Sequence, residues 1–275
     1  METSNDGLRM LSLVLDTEKT SGPTAAVAIT PMAPPDAPVA AATADGTRPL
    51  VIFDYDDTLC PSSWIEHHKL RHPNAPYPPN GRADLEVIEA AAHRCLSAAM
   101  ALGADVLVIT NAESGWIENS AARFLPRLLP LLQQLKVVSA RSSYEHFFPS
   151  VPLCWKAAAF AHEANELWER DDAAMPAAPA TVPEGNGKSP TALPIPPAAP
   201  AVVKRQRVIL SLGDSNEERT AVKIAAEQLG AISKSVKFVQ HSPPVELSRQ
   251  LDTVTSSMQW MLADTKPLDL MLQPP

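Results

Sequence analysis

The run VIFDYDDTLCP, residues 51 to 61, restricts this chain more than any other stretch: a short apolar segment ends in Asp54, Asp56 and Asp57, with Thr58 immediately after. A buried strand that delivers three carboxylates at its carboxyl end crowds like charges, which repel and raise one another's pKa. Such a cluster is stable when a cation sits among the oxygens, most simply Mg²⁺. That combination points to phosphate chemistry.

From Arg48 onward, strand-like apolar runs alternate with helical patterns, the signature of an α/β domain around a parallel sheet. Five strands are expected: PLVIFD (49–54), DVLVIT (105–110), KVVSA (136–140), RVILSLG (207–213) and VKFVQ (236–240). Between the first two, Leu85, Ile88, Ala92, Leu96, Ala99 and Leu102 recur at helical spacing and Gly103 stops the run, predicting an amphipathic helix over 84–102. Segment 61–83 reads as one short helix and a Pro-rich loop. Residues 115–135 read as helix broken near Pro126 and Pro130. Further helices are predicted over 153–169, over 215–229 with Gly230 as stop, and over 244–263 after a Pro-Pro pair.

Half of the 28 prolines fall in residues 20–49 and 172–200, which also carry runs of Ala and Thr. Neither stretch can bury much apolar surface, so both read as disordered, with polyproline-like character. The expected organisation is a disordered arm over 1–47, one globular domain over 48–264 interrupted by a disordered Pro/Ala-rich insertion over 171–203, and a tail over 265–275. The Pro-rich segments read first as linkers and second as docking motifs for a protein partner.

Net charge is −8, and no Lys/Arg stripe is present, which disfavours a nucleic-acid backbone as partner. Cys60, Cys95 and Cys154 lack metal-ligand spacing and suggest a reducing, cytoplasmic compartment. The apolar stretch LRMLSLVL (8–15) is preceded by Glu2 and Asp6 rather than by a basic region, and no run approaches membrane-spanning length. No membrane association is expected.

In an open parallel sheet, ligands bind at the carboxyl ends of the strands. Asp54 and Asp56, two residues apart on a continued strand, share one side there. Thr110-Asn111 ends the second strand, where a hydroxyl and an amide meet the exposed backbone amides of a following helix, a natural phosphate cradle. Lys156 lies in the first turn of its helix, an unfavourable place for a cation. Gly213-Asp214-Ser215-Asn216-Glu217-Glu218 follows the fourth strand, and Asp214 with one glutamate offers hard oxygen ligands for Mg²⁺.

Blander readings compete with each of these. The aspartates could form an Asp-rich helix cap, Thr110 a strand-end cap, and Lys156 a solvated surface residue. Ser215-x-x-Glu218 is also a capping box. His67, His68 and His72 read as solvated, and Trp116, Trp155 and Tyr144 as packing residues. Cys60 sits beside carboxylates that would raise its pKa. Arg141 follows the third strand on the site side and is a candidate contact for an anionic substrate.

In this order and spacing, DYDDT, the strand ending in Thr110, Lys156 and Gly213-Asp214 resemble the four motifs of the haloacid dehalogenase (HAD) superfamily of aspartate-nucleophile phosphohydrolases. The match covers nearly all of residues 48–241. The finer texture, DYDDTLCPS, TNAESGWIE, SARSSYEHFFP, WKAAAF and GDSNEER, resembles a eukaryotic group within that superfamily, many of whose members come from protists and algae. This narrower resemblance supplies no substrate.

The superfamily resemblance implies a Rossmann-like core with a small or absent cap and a two-step phosphoryl transfer. Asp54 would attack phosphorus, and Asp56 would protonate the leaving oxygen and then deprotonate water. Mg²⁺ would be held by Asp54, the backbone carbonyl of Asp56, Asp214 and Glu217 or Glu218. Lys156 and Thr110, with Asn111 and Arg141, would contact the phosphate. Asp57 stands where the family frequently has glycine, and its role stays open. The short insertions at 61–83 and 140–152 imply an open site, which favours a bulky phosphomonoester such as a phosphoprotein over a small metabolite. The alternative is a non-catalytic phospho-ligand binder or scaffold on the same fold. A receiver-like phosphoacceptor is disfavoured because KVVSA ends without an aspartate.

Overall fold

Strand β1 (Leu50–Phe53) is buried along its whole length, with Val51 and Phe53 in one apolar cluster and Leu50 and Ile52 in another. Both faces of the sheet are therefore covered, as a continuous apolar run in a parallel sheet requires. The computed structural model describes residues 47–174 and 206–274. The expected arm up to residue 46, with its apolar stretch at 8–15, and the expected insertion from residue 175 lie outside the described residues.

The remaining strands are β2 (Asp105–Thr110), β3 (Lys136–Ser139), β4 (Val208–Gly213), β5 (Ile232–Lys237) and β6 (Leu268–Met271). They form a six-stranded sheet in the order β3-β2-β1-β4-β5-β6, every pairing parallel. This is a Rossmann-like α/β arrangement. Helices α1 (Ser62–His67), α2 (Gly81–Ala101), α3 (Trp116–Phe124), α4 (Leu129–Leu132), α5 (Ala140–Tyr144), α6 (Pro152–Ala174), α7 (Asn216–Leu229) and α8 (Pro244–Ala263) connect them. Leu85, Ile88 and Leu96 of α2 and Leu247, Leu251 and Met258 of α8 cover the face of Val51 and Phe53. Ala157, Phe160 and Ala164 of α6 and Val222 and Ile224 of α7 cover the other. No helix among the described residues is long and apolar enough to cross a membrane.

Three expectations need correction. The sheet has six strands rather than five, because residues 268–271, expected in a tail, pair with β5. Strand β5 itself begins at Ile232, earlier than the expected VKFVQ. In both cases polar residues hide the strand. Lys234 is fully buried and donates from Nζ to the carbonyls of Met261 (2.5 Å), Leu262 (3.3 Å) and Asp264 (2.5 Å), closing the carboxyl end of α8. Asp269 of β6 accepts from Arg219 Nε (2.6 Å), Lys223 Nζ (2.6 Å) and Ser235 Oγ (2.9 Å). Helix α6 also runs five residues past the expected 169, to Ala174.

The Asp269 clamp carries a testable pH dependence. Burial works to raise its pKa, but hydrogen bonds from Arg219, Lys223 and Ser235 override it and hold the carboxyl down at about 2. A group whose folded pKa is depressed stabilises the fold above its unfolded pKa and loses that contribution as pH falls through the folded value. The expected loss therefore falls between about pH 4 and pH 2. Asp269→Asn is expected to lower stability at neutral pH by about 2 kcal/mol, the scale of a charge-assisted hydrogen bond, and to flatten the acid limb. Thermal melts of both proteins across that window check this; parallel acid limbs would refute it.

Candidate active site

The chain runs from β1 out to β2 and β3 and then returns to β4 beside β1, so β1 and β4 flank the point where the strand order reverses. A crevice opens outside the strand ends at such a point. The Asp54 amide donates to the Leu212 carbonyl at 2.8 Å, which carries the extended backbone one residue past β1. Beyond it the chain folds back on itself, with Leu59 and Cys60 amides both donating to the Tyr55 carbonyl at 2.9 Å and the Asp57 amide to the Cys60 carbonyl at 2.7 Å. Asp57 adopts φ 50°, a left-handed conformation that suits glycine and that Asp tolerates better than most residues.

The Asp57 carboxylate accepts from the Ser63 amide at 2.8 Å and from the Ser63 hydroxyl, tying down the first turn of α1. Ser63 Oγ also lies 2.9 Å from His241 Nδ1. The acidic residue with no role in the sequence reading is thus an anchor between α1 and the loop before α8.

Lys156, 1 % exposed, donates to Asp54 Oδ1 (2.5 Å), Glu218 Oε1 (2.9 Å) and the Ile109 carbonyl (2.8 Å). All three of its protons are used. Burial opposes the ammonium, but Asp54 and Glu218 outweigh it and raise its pKa. Asp54 is itself raised well above the ordinary carboxylate range, chiefly by burial, against the pull of Lys156 and with help from Glu218 and Asp56. For Glu218, burial is outweighed by Lys156 and the Ser215 hydrogen bonds, so its pKa is lowered. One ammonium serves two buried carboxylates, and a second cation would be attracted here.

Glu218 also completes a capping box with Ser215: Glu218 Oε2 accepts from the Ser215 amide at 3.0 Å and from its hydroxyl, while Ser215 Oγ accepts from the Glu217 amide at 3.1 Å. One oxygen caps α7, as the capping-box reading expects, while the other meets Lys156. A Cβ built on Gly213 would stand 2.6 Å from Glu218 Cγ, so only glycine lets this side chain lie across the strand end.

Asp214, 9 % exposed, makes no hydrogen bond or ion pair among the described residues. Burial first, then the charges of Glu218 and Asp57, push its carboxyl up to about 7. Asp54, Asp214 and Glu218 each offer one oxygen within 4.8 Å of the others, a donor set of hard oxygens suited to a divalent cation such as Mg²⁺.

No protein-family model, curated protein or solved structure matches the chain.

The other expected residues divide. The Asp56 carboxylate is outside the acidic trio and accepts three hydrogen bonds: Ser62 Oγ (2.5 Å) and Trp116 Nε1 (2.8 Å) to Oδ1, and Thr110 Oγ1 (2.9 Å) to Oδ2. Thr110 thus turns its hydroxyl to Asp56, while its oxygen accepts from the Ala112 amide at 2.9 Å. Asn111 donates weakly to the Pro152 carbonyl at 3.4 Å, and its buried Oδ1 has no hydrogen-bond partner among the described residues. Arg141 is engaged by Glu145 (2.9 Å) and Glu113 (3.5 Å) rather than by the acidic trio. Glu217 is not part of the trio.

Burial, then the Asp56 charge, pushes the Cys60 thiol up to about 12, so it is no nucleophile near neutral pH. His67 lines a cavity of about 340 Å³ with Ser63, Trp64, His241 and Pro243. The sequence reading missed the indole N–H of Trp116. Its signal was a tryptophan in the first helical turn after a site-forming strand, because a partly buried indole N–H seeks an acceptor.

Proposed function

We propose that this chain is a Mg²⁺-dependent phosphatase that hydrolyses phosphomonoesters through an aspartyl-phosphate, in the manner of the HAD superfamily its motifs resemble. The observation that carries the reading is the convergence of Asp54, Lys156, Asp214 and Glu218, from four separate elements, at the sheet's carboxyl edge. Asp54, Asp214 and Glu218 would hold the ion, and Asp214, buried with no hydrogen-bond or ion-pair partner among the described residues, is the residue that most needs it. When bound, Mg²⁺ would neutralise phosphate and carboxylate charge so that two anions can meet.

Asp54 supplies the nucleophilic oxygen, and its bond to phosphorus forms as the bond to the leaving oxygen breaks. Lys156 orients that carboxylate and offsets charge on the phosphoryl oxygens. Asp56 gives its proton to the leaving oxygen, then takes one from the water that attacks phosphorus, releasing inorganic phosphate and restoring Asp54. Thr110, bonded to Asp56, orients that acid/base group in the resting state.

The short connection after the first motif, residues 61–83, favours an open site and a bulky or phosphoprotein substrate. A panel of aryl phosphates, compact sugar phosphates and phosphopeptides, assayed with Mg²⁺ and with chelator, tests both parts. Turnover is expected only with the metal, with the peptides ahead of the sugars. A strong preference for one compact sugar phosphate would sink the open-site idea. Mg²⁺-dependent phosphate binding with no turnover on any ester would replace the phosphatase by a phospho-ligand binder.

A further inference from the structure

Resting on the phosphatase reading, we infer that Trp116 is a positioning residue for Asp56, holding Oδ1 fixed so that the transferable proton sits on Oδ2, and that it couples this acid/base group to the short loop at residues 68–72. The argument starts from donor chemistry. An indole N–H can only donate, so the 2.8 Å contact from Trp116 Nε1 commits Asp56 Oδ1 to accepting. Ser62 Oγ, at 2.5 Å on the same oxygen, adds a second donor. Among the described residues Oδ2 meets only the Thr110 hydroxyl, at 2.9 Å, and a hydroxyl can turn from donating to accepting. A proton can therefore reside on Oδ2 without leaving a donor facing a donor, whereas on Oδ1 it would oppose an N–H that cannot turn away.

Trp116 is itself held from two directions. The Ser120 hydroxyl donates to its carbonyl at 2.6 Å and lies 2.9 Å from the Tyr55 hydroxyl, next to Asp56 in sequence. The Arg71 guanidinium carbon lies 4.2 Å from the Trp116 ring centroid, a cation–π distance. Arg71 also pairs with Glu66 at 2.9 Å, and Arg123 of α3 donates to the carbonyls of Arg71 and His72, both at 2.8 Å. The loop is thus bound to α3 and lies on the indole whose N–H holds the acid. In the first step the Oδ2–H bond breaks as the leaving oxygen takes the proton, while that oxygen's bond to phosphorus gives way to the bond from Asp54.

The test uses leaving-group dependence. A well-placed acid matters for an alkyl phosphate, whose alkoxide leaves poorly, and little for p-nitrophenyl phosphate, whose phenolate leaves unaided. Trp116→Phe keeps an aromatic ring under Arg71 and removes the N–H together with the rest of the five-membered ring, so Ser62→Ala, which leaves the indole intact, is the companion variant. Trp116→Phe is expected to lower kcat for O-phosphoserine by about tenfold or more and for p-nitrophenyl phosphate by less than about threefold, with KM nearly unchanged. Ser62→Ala, which removes the other donor to Oδ1, is expected to show the same selectivity. Equal losses on both esters in both variants, or no loss on either, would overturn the inference while the phosphatase reading stands. A wild-type chain inactive on both esters would overturn that reading and this inference with it.

Discussion

Asp54→Asn is expected to reduce phosphate-ester turnover by on the order of 10⁴ to 10⁶, the scale seen when a covalent nucleophile is removed, while leaving the protein as stable as before or more so. The two halves of this prediction have separate causes. Asparagine is nearly isosteric and its carbonyl oxygen can still accept from Lys156, but it cannot form the acyl-phosphate bond. Its neutrality relieves the site, because Asp54 is a carboxylate that burial itself drives toward the protonated form. With Asp54 neutral, Lys156 and Glu218 become a one-to-one pair, 2.9 Å apart. Loss of activity with a raised or unchanged Tm is the pattern of a functional group held against the fold's preference. Steady-state kinetics and melting of the same preparation check it, together with phosphoryl transfer to the Asp54 peptide in acid-quenched wild-type protein. Retained turnover would remove Asp54 as the nucleophile.

Lys156→Met should have the opposite effect on the fold. It leaves two buried carboxylates and the Ile109 carbonyl without their shared donor. Removing one partner of a buried ion pair costs about 3–5 kcal/mol, which for a domain of this size lowers Tm by roughly 10 °C. Activity is expected to fall about 10² to 10³-fold as one preorganised charge on the phosphoryl oxygens is lost. Melting without metal separates the two effects, because Mg²⁺ held by Asp54, Asp214 and Glu218 would restore part of the missing positive charge. A melting temperature equal to that of the wild type would show that Lys156 is not what balances these carboxylates.

Much of this architecture is legible in the sequence where apolar patterning is uninterrupted. LVIF, DVLVIT and VILSLG are strands because each is buried almost throughout, and α8 spans 244–263 as its apolar spacing and Pro-Pro start imply. The reading fails where polar side chains belong to strands. Lys234 and Asp269 look like surface residues until α8 supplies carbonyls to one and α7 supplies Arg219 and Lys223 to the other. At the site, the spacing of Asp54, Lys156, Asp214 and Glu218 was enough to group them, because strand ends and helix starts converge by topology. Individual hydrogen bonds were not. Whether Thr110 faces a phosphate or Asp56, and whether Arg141 faces a substrate or Glu113 and Glu145, depends on side-chain directions that spacing leaves free.

Helix α6 ends at Ala174 and β4 begins at Val208, with Arg207 paired to Asp172 at 2.6 Å. These two chain ends are therefore neighbours at the edge of the sheet where strands begin, a full strand length from Asp54. Both ends lie on the side of the sheet remote from the chemistry. A reporter attached at Asp172 or Arg207 would therefore label the protein a strand length away from the crevice.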